Sequence, residues 1–528
     1  MNTATDVDVL VVGAGPTGLM LANQLARRGV RVQVVERNAG PSRQTKALGV
    51  QARTLEIYAR LGVVERALAW GTRAIAASLW VEGRPAARVP LGDIGHDLSP
   101  YPFLLILGQD DNERLLGDEL RARGVEVQWG TELVGLTQDA ERATATLRQA
   151  DGTTRELTAA WVAGCDGAHS TVRRLSGIDF PGAPYEQVFF VADTRVSGPM
   201  AAGELNVYLW PSGFHLFFPM RGSDHWRVVG IVPPALRGHD DLDFDALLPA
   251  LRQEVGAGLA FQACTWFSTY RIHHRRAARF RERRCFLLGD AAHIHSPVGA
   301  QGMNTGLQDA YNLAWKLALV SHGHAAAGLL DSYEAERIPV AERLLRTTDR
   351  AFSIVVSNRW LAGLLRMRVL PKLLALAMRG ERTRRLAFRT ISQTGIRYPD
   401  SALSQDLAAP PGHAPRAGDR FPWLRLAFAA DGAAEDLYAR LDDTRFHLLL
   451  VGQAAPPGLP DALDGQLDVH VIPEHPHNAQ ALDRARIPRP AFYLLRPDGH
   501  VGLAGTRLDA AALRRYLAER LQLQPRTP

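Results

Sequence analysis

Residues 7–36 read VDVLVVGAGPTGLMLANQLARRGVRVQVVE, and the pattern changes three times along them. VDVLVV is an apolar run of strand length, GAGPTG breaks it, LMLANQLARRG places apolar residues at helical spacing, and VRVQVVE returns to β-rich composition. Strand, helix and strand in that order form a βαβ unit and predict an α/β fold with a parallel sheet. Gly13, Gly15 and Gly18 make a GxGxxG between strand and helix, and Glu36 closes the second strand. Glycines there allow a tight turn, close approach of backbone to a pyrophosphate and close helix packing, while the helix N-terminus offers unpaired N–H groups. A carboxylate at 36 accepts hydrogen bonds from a ribose and disfavours a neighbouring phosphate, so a 2′-hydroxyl is expected. The motif predicts dinucleotide binding and leaves NAD and FAD open.

Outward from this unit, NERLLGDELRARG reads as helix, VEVQW as strand, and positions 132–162 as a meander broken at Asp151-Gly152. Strands dominate from 185 to 271, notably LNVYLW, FHLFFPM and WRVVGIV, with one helical insert near 243–255. That stretch predicts a separate antiparallel sheet. Long helices follow over roughly 304–322, 332–355 and 360–385. The Pro-rich AAPPGHAPRAGDRFP marks a boundary near 405–420, after which two strands, a hairpin and a helix complete a small α/β domain. Boundaries are therefore expected at 184/185, 275/276, 345/346 and 405/406. No internal repeat is present.

The chain has 528 residues, 46% apolar and 22% charged, enough for several domains and unlike a disordered or fibrous sequence. A net charge of +6 over that length is too dilute to imply nucleic acid. The densest basic run, RIHHRRAARFRERR from Arg271, reads as a solvated connecting face. Cys165, Cys264 and Cys285 lie far apart with no CxxC, which predicts a reducing, cytoplasmic setting. MNTATD is polar and acidic, unlike a secretory signal. The most membrane-like segment, IVVSNRWLAGLLRMRVLPKLLALAMRG, is interrupted by Arg359, Arg366, Arg368, Pro371 and Lys372, so packed helices are expected in place of a span. His293 and His295, two residues apart with no third ligand, do not make a metal site.

A second junction, CFLLGDAAHIHSPVGAQGMNTGLQDA at 285–310, ends a buried strand on Asp290 and leads through a permissive loop into a helix. An acid at the carboxyl end of such a strand suits the hydroxyls of a polyol chain, and a helix start beyond it suits negative charge. A flavin, anionic at its pyrimidine edge when reduced, fits both.

Three fingerprints now stand in order: GAGPTG at Gly13, GCDGAHSTVRR at Gly164, and GDAAHIHSPVGAQGMNTGLQDAYNLAWKL at Gly289. Together they resemble the FAD-dependent aromatic hydroxylases, the single-component flavoprotein monooxygenases that include p-hydroxybenzoate, phenol and polyketide hydroxylases. The resemblance implies a Rossmann-like FAD-binding domain in two parts (1–184 and 276–345), an inserted β-sheet substrate domain (185–275), a helical connection (346–405) and a thioredoxin-like domain (406–528). It implies that Glu36 binds the adenosine ribose, that Thr17, Arg37 and Gln109 lie near the phosphates and ribityl chain, and that Leu133 lies against the adenine. Asp290 would bind ribityl hydroxyls, and the backbone of Gly302, Met303 and Asn304 would hold the pyrimidine edge. Asp166 and Gly167 form the DG motif that serves FAD and NAD(P)H, with a structural turn as the alternative for Asp166.

Lys46 stands where many relatives have Arg, and SPVGAQG replaces the commoner PPxGGQG, so Ser296 and Ala300 depart from the pattern. The C-terminal domain has no cysteine, which excludes thiol–disulfide chemistry there. The implied reaction reduces FAD with NAD(P)H, captures O2 as a flavin C4a-hydroperoxide and transfers one oxygen to a phenolic or polycyclic aromatic ring. Tyr208 and His215 are candidate bases among the aromatics of the inserted sheet, and Arg53 is a candidate for the flavin's path, with a helix-surface ion pair as its alternative. A small aromatic substrate and O2 are the expected partners, with a homodimer among the assemblies allowed. A Baeyer–Villiger or drug-inactivating monooxygenase, or a non-catalytic flavin-binding module, would share the same fingerprints.

Overall fold

A computed structural model describes the chain apart from residues 1–4, 43–46, 212, 221–223, 239–240, 296–299, 357–362, 364, 409–410, 430–431, 458, 460–465 and 525–528. Lys46 and Ser296 therefore lie outside the described residues. The βαβ unit forms as strand Val7–Val12, helix Pro16–Ala26 and strand Val32–Glu36. Val9, Leu10, Val11, Val34 and Val35 are wholly buried, because both faces of a parallel sheet are covered. The sheet runs Arg281–Glu282, Cys285–Leu287, Thr154–Gly164, Val7–Val12, Val32–Glu36, Val127–Trp129, and every pairing along it but the first is parallel. This order puts the GxGxxG turn, the DG motif after Thr154–Gly164 and the Asp290 turn on adjacent strand ends, where open α/β sheets bind ligands.

The second sheet has eight strands and is antiparallel except where Glu204–Trp210 pairs with Ala76–Val81. It extends beyond the expected 185–275. The hairpin of Ala76–Val81 and Arg84–Pro90 supplies one edge, and His293–Ile294 pairs at the other, so the two sheets share chain at both ends. Helix Phe244–Val255, capped by Asp243, covers one face through Phe244, Leu247 and Leu251. The expected helix over 360–385 is two shorter helices, Leu370–Ala377 and Glu381–Ile391, separated at Gly380.

The C-terminal sheet runs Gln405–Asp406, Val501–Gly505, Ala491–Leu495, Phe446–Val451, Leu467–Ile472 in mixed orientation. Helix Pro476–Arg484, which sequence reading missed, packs below it through Ala481 and Leu482. This domain docks on helix Gly302–Ser321, whose Leu307, Leu313 and Leu317 enter the core of the first domain while Trp315 and Leu319 enter that of the last.

Charge completes the seam. Glu336, 2% exposed, accepts from Arg496 (2.6 and 3.0 Å), Lys316 (2.8 Å), Asn312 (2.6 Å) and Ser401 (2.7 Å). Burial pushes its carboxyl up, but Arg496 and Lys316 outweigh that and hold it well below the usual range. Burial likewise pushes the Lys316 ammonium down to about 8, with Glu336 opposing. Removing one partner of such a cluster leaves uncompensated charge in the interior. Glu336→Gln is therefore expected to cost about 3–5 kcal/mol of unfolding free energy at neutral pH, measured by urea denaturation. Because the folded carboxyl lies below its ordinary pKa of about 4.3, its contribution is present above that pH and is lost as pH falls. The gap between parent and variant should narrow in acid.

Candidate functional site

The three glycines of the first turn answer to different neighbours. Gly13 has φ +105°, and a Cβ on it would lie 2.4 Å from the Cys165 carbonyl oxygen; a Cβ on Gly18 would lie 2.0 Å from that of Gly13. A Cβ on Gly15 would meet nothing within 4 Å. The chain itself requires the first two, whereas Gly15 faces open space at the start of helix Pro16–Ala26, which has no side-chain cap. An uncapped helix start beside an open glycine is a cradle for a pyrophosphate. Glu36 borders it, accepting from the Ala14 N–H (2.9 Å), the Asn38 N–H (3.0 Å) and Asn38 Nδ2 (2.6 Å). A carboxylate has about four lone-pair sites, so capacity remains for a ribose hydroxyl. The loop leading to buried Leu133 is tied to the same strand end by Thr131 N–H donating to Glu36 O (2.9 Å). Arg37 is exposed nearby. Gln109 begins helix Gln109–Ala122 and donates through Nε2 to Glu113 (2.9 Å).

Thr17 lies between the first turn and the third fingerprint, close enough that a Cβ on Gly289 or Gly306 would meet its Oγ1 at 2.7 or 2.4 Å. Gly289 has φ +58°, and Asp290 stands exposed between buried Gly289 and Ala291. The turn is held from beneath by Asp309, a residue that sequence reading gave no role. Its Oδ2 accepts from the Gly289 N–H (3.0 Å) and pairs with His293 Nε2 (2.8 Å), and its Oδ1 accepts from Arg337 Nε (2.6 Å). Burial pushes this carboxyl up, yet Arg337 and His293 hold it below the usual range. The available signal was an acid on the buried side of an apolar helix. His293 is thus a structural partner stacked on Phe280 (5.8 Å), and among the described residues no cluster could hold a metal.

Helix Gly302–Ser321 starts without a side-chain cap, and Thr305 N–H donates to Gln301 O (2.9 Å), which leaves the amides of Gly302, Met303 and Asn304 ahead of that bond. The Asn304 side chain is spoken for. It donates to Gly49 O and Ala300 O (2.8 Å each) and accepts from the Gln51 N–H (2.9 Å) and Thr54 Oγ1 (2.7 Å). Ala300 sits at φ +52°, the left-handed region that a glycine would occupy more readily. Asp166 accepts from Ser170 Oγ (2.5 Å) and from the Thr171 and Val172 N–H groups (2.6 and 3.2 Å), so its carboxylate caps helix Thr171–Leu175. The motif is tied to the Asp290 turn through Arg173, which donates to Ala291 O (2.8 Å).

Comparison with known proteins matches residues 6–348 to the FAD-binding-domain family. The chain belongs to the FAD-dependent aromatic hydroxylase family. The hydroxylase is 34% identical to 6-methylpretetramide 4-monooxygenase of Streptomyces rimosus over 96% of its own length and 92% of the relative's. It is 33% identical to a rifampicin monooxygenase of Streptomyces venezuelae over 94% and 95%. Among solved structures, the anhydrotetracycline hydroxylase OxyS from Streptomyces rimosus superposes with a TM-score of 0.78 at 30% identity over 98% of this chain and 99% of that one. Aklavinone-11 hydroxylase, solved with FAD and aklavinone, gives 0.81 at 26% over 99% and 100%. The hydroxylase is accordingly an FAD-binding monooxygenase, and the cradle, Glu36, Asp290 and the open helix start fit that cofactor.

The three candidate catalytic side chains are all buried. Arg53 is 2% exposed and donates to Glu56 Oε2 (3.0 Å) and to Asp498 O (2.5 Å), so it joins the hydroxylase's first domain to its last. Tyr208 is stacked on Trp80 (5.3 Å), and His215 is paired with Glu254 (2.6 Å) and stacked on Trp210 (5.7 Å). Tyr208 and His215 are direct cross-strand partners on the face beneath helix Phe244–Val255. The opposite face carries Leu205, Phe218 and Met220, which meet Leu48 and Ile106 of the first domain.

Two glycine variants separate ligand from chain. Gly15→Leu is expected to fold normally and lose FAD retention by about 10- to 100-fold or more, read by flavin fluorescence titration. Gly13→Ala should destabilise the apoprotein by about 1 kcal/mol or more, since it forces a side chain into a left-handed, crowded position. Equal apoprotein stability in both variants would refute this division.

Proposed function

We propose that the enzyme uses NAD(P)H and O2 to hydroxylate a neutral phenolic or polycyclic aromatic compound bound against the sheet face that carries Val207, Leu216, Phe218, Met220 and Val229. The observation that supports this reading is the division between the sheet's two faces. Leu205, Phe218 and Met220 turn toward the FAD domain, and the aromatics Tyr208, Phe217 and Trp226 turn away. Polar groups on the inner face are gathered where Asp193 accepts twice from Arg227 (2.6 and 2.5 Å) and Arg227 lies over Trp266 (5.1 Å), a charge-neutral arrangement. Such a floor selects by shape and apolar contact.

In this reading Gly13, Gly15, Thr17 and Gly18 hold the FAD pyrophosphate, Glu36 the ribose, Arg37 and Gln109 lie by the phosphates and ribityl chain, and Leu133 lies against the adenine. Asp290 accepts from the ribityl hydroxyls, and the amides of Gly302, Met303 and Asn304 donate to the pyrimidine edge. Bound there, the cofactor supplies oxygen activation that no side chain offers. The chain's own contribution is placement, exclusion of water by the apolar face, and donors preorganised where negative charge develops. The cysteine-free C-terminal domain is read as thioredoxin-like in shape and as a clamp on helix Gly302–Ser321. A drug-inactivating monooxygenase is the second reading, favoured by the rifampicin monooxygenase relative.

The test is a turnover screen of the flavin-loaded protein across simple phenols, phenolic acids and neutral polycyclic aromatics, with NADH or NADPH. Substrate-stimulated oxidation and a gain of one oxygen by mass spectrometry are expected from the neutral polycyclic compounds; activity confined to phenolic acids would sink the reading. Asp290→Ala should weaken FAD binding by about 10- to 100-fold. Tyr208→Phe, whose hydroxyl has no hydrogen-bond partner behind the sheet, should change kcat by less than about tenfold, short of the 100- to 10,000-fold loss of a general base.

A further inference from the structure

Of the ten most exposed large apolar side chains among the described residues, seven lie between positions 365 and 391. Leu365, Val369, Leu373 and Leu376 are 54%, 45%, 57% and 61% exposed at helical spacing on consecutive turns, and Leu386 on the next helix is 67% exposed. Exposed leucines in such a row are uncommon on a soluble surface and mark a contact site.

The opposite side of the segment is anchored. Pro371 and Met378 are buried, Leu370–Ala377 packs on strand Arg84–Pro90, Phe388 enters a small core with Ala52 and Leu98, and Arg366 donates to Pro211 O (2.8 Å). The outward stripe is therefore a fixed feature of the folded protein.

Charge selects the occupant. Residues 365–391 hold eight basic side chains against one acid, Glu381, whereas the whole chain has a net charge of only +6. Arg368, Lys372 and Arg379 follow the leucine stripe three positions on from Leu365, Val369 and Leu376, and all three are exposed. A second copy of this chain placed on the stripe would oppose like charges. A helix with leucines on one side and arginines beside them, lying parallel to a surface, is suited to an anionic bilayer interface.

We propose that the helices Leu370–Ala377 and Glu381–Ile391, with the turn from Leu365, are a docking surface for an anionic lipid membrane. The association is peripheral, since no described helix is long and apolar enough to cross a membrane. Met378 and Ala387 cover Leu209 and Phe214 on the inner face of the sheet, so docking would set the bilayer beside that face. This last consequence rests on the substrate reading; the docking itself does not.

The experiment is co-sedimentation of the FAD-loaded protein with phosphatidylglycerol-containing and with pure phosphatidylcholine vesicles. Binding to the anionic vesicles is expected, weakened by salt, and reduced on the order of 100-fold in Leu373→Glu/Leu376→Glu. Arg368→Gln/Lys372→Gln/Arg379→Gln should reduce it on the order of 10- to 100-fold. Flavin absorbance and sedimentation velocity confirm that both variants stay folded. Absence of binding to anionic vesicles, binding unaffected by the leucine variant, or a dimer that the leucine variant dissociates without vesicle binding in the parent would each overturn the proposal. Failure of the turnover screen leaves these readouts unchanged, so the two ideas fail separately.

Discussion

One buried carboxylate, Asp309, sets the geometry of the ligand edge. A charge taken out of water must be met on every side, and Asp309 meets that demand with the Gly289 amide, His293 and Arg337. Holding the Gly289 amide fixes a turn with positive φ, and that turn places Asp290 outward while its neighbours stay buried. The exposed acid that faces the ligand edge owes its position to a buried acid one helix away. Arg337 carries the constraint further, donating to Tyr398 (2.9 Å), whose ring lies 4.5 Å from that of His500 in the C-terminal domain.

Helix Gly302–Ser321 shares this dependence. It is buried from Asn304 to Leu319, with polar Asn304, Asp309, Asn312 and Lys316 in its interior-facing positions. An isolated helix of this composition would gain nothing by burying them. Each instead finds a partner on a different element: Asn304 on the segment 49–54, Asp309 on the Gly289 turn, Asn312 and Lys316 on Glu336. The C-terminal domain supplies Arg496 to the same Glu336, so a domain with no cysteine still governs the helix.

Much of this was readable in the residues. Three fingerprints with fixed glycine spacing place turns, and turns at the ends of adjacent parallel strands place a dinucleotide. The inserted sheet was equally visible as alternating apolar strands. Its orientation was not, because alternation assigns Tyr208 and Trp210 to one side without saying which side faces the cofactor. Packing separates the two sides, burying Tyr208 beneath helix Phe244–Val255 while Leu205, Phe218 and Met220 meet the first domain. Arg53 illustrates the same limit. Its charge and helical position were plain, but its partners, Glu56 and the Asp498 carbonyl, include one 445 positions away.

By itself, then, the sequence determined the βαβ start, the turns that carry Glu36 and Asp290, and the family, since these rest on local spacing and on backbone conformations that only glycine adopts with ease. Only the tertiary structure decided which sheet face turns toward the first domain, that Asp166 caps a helix, that Arg53 belongs to a seam, and that Asp309 and Glu336 hold the frame. Those roles depend on which charges are removed from water together, and desolvation is a property of the packed chain that no stretch of residues carries alone.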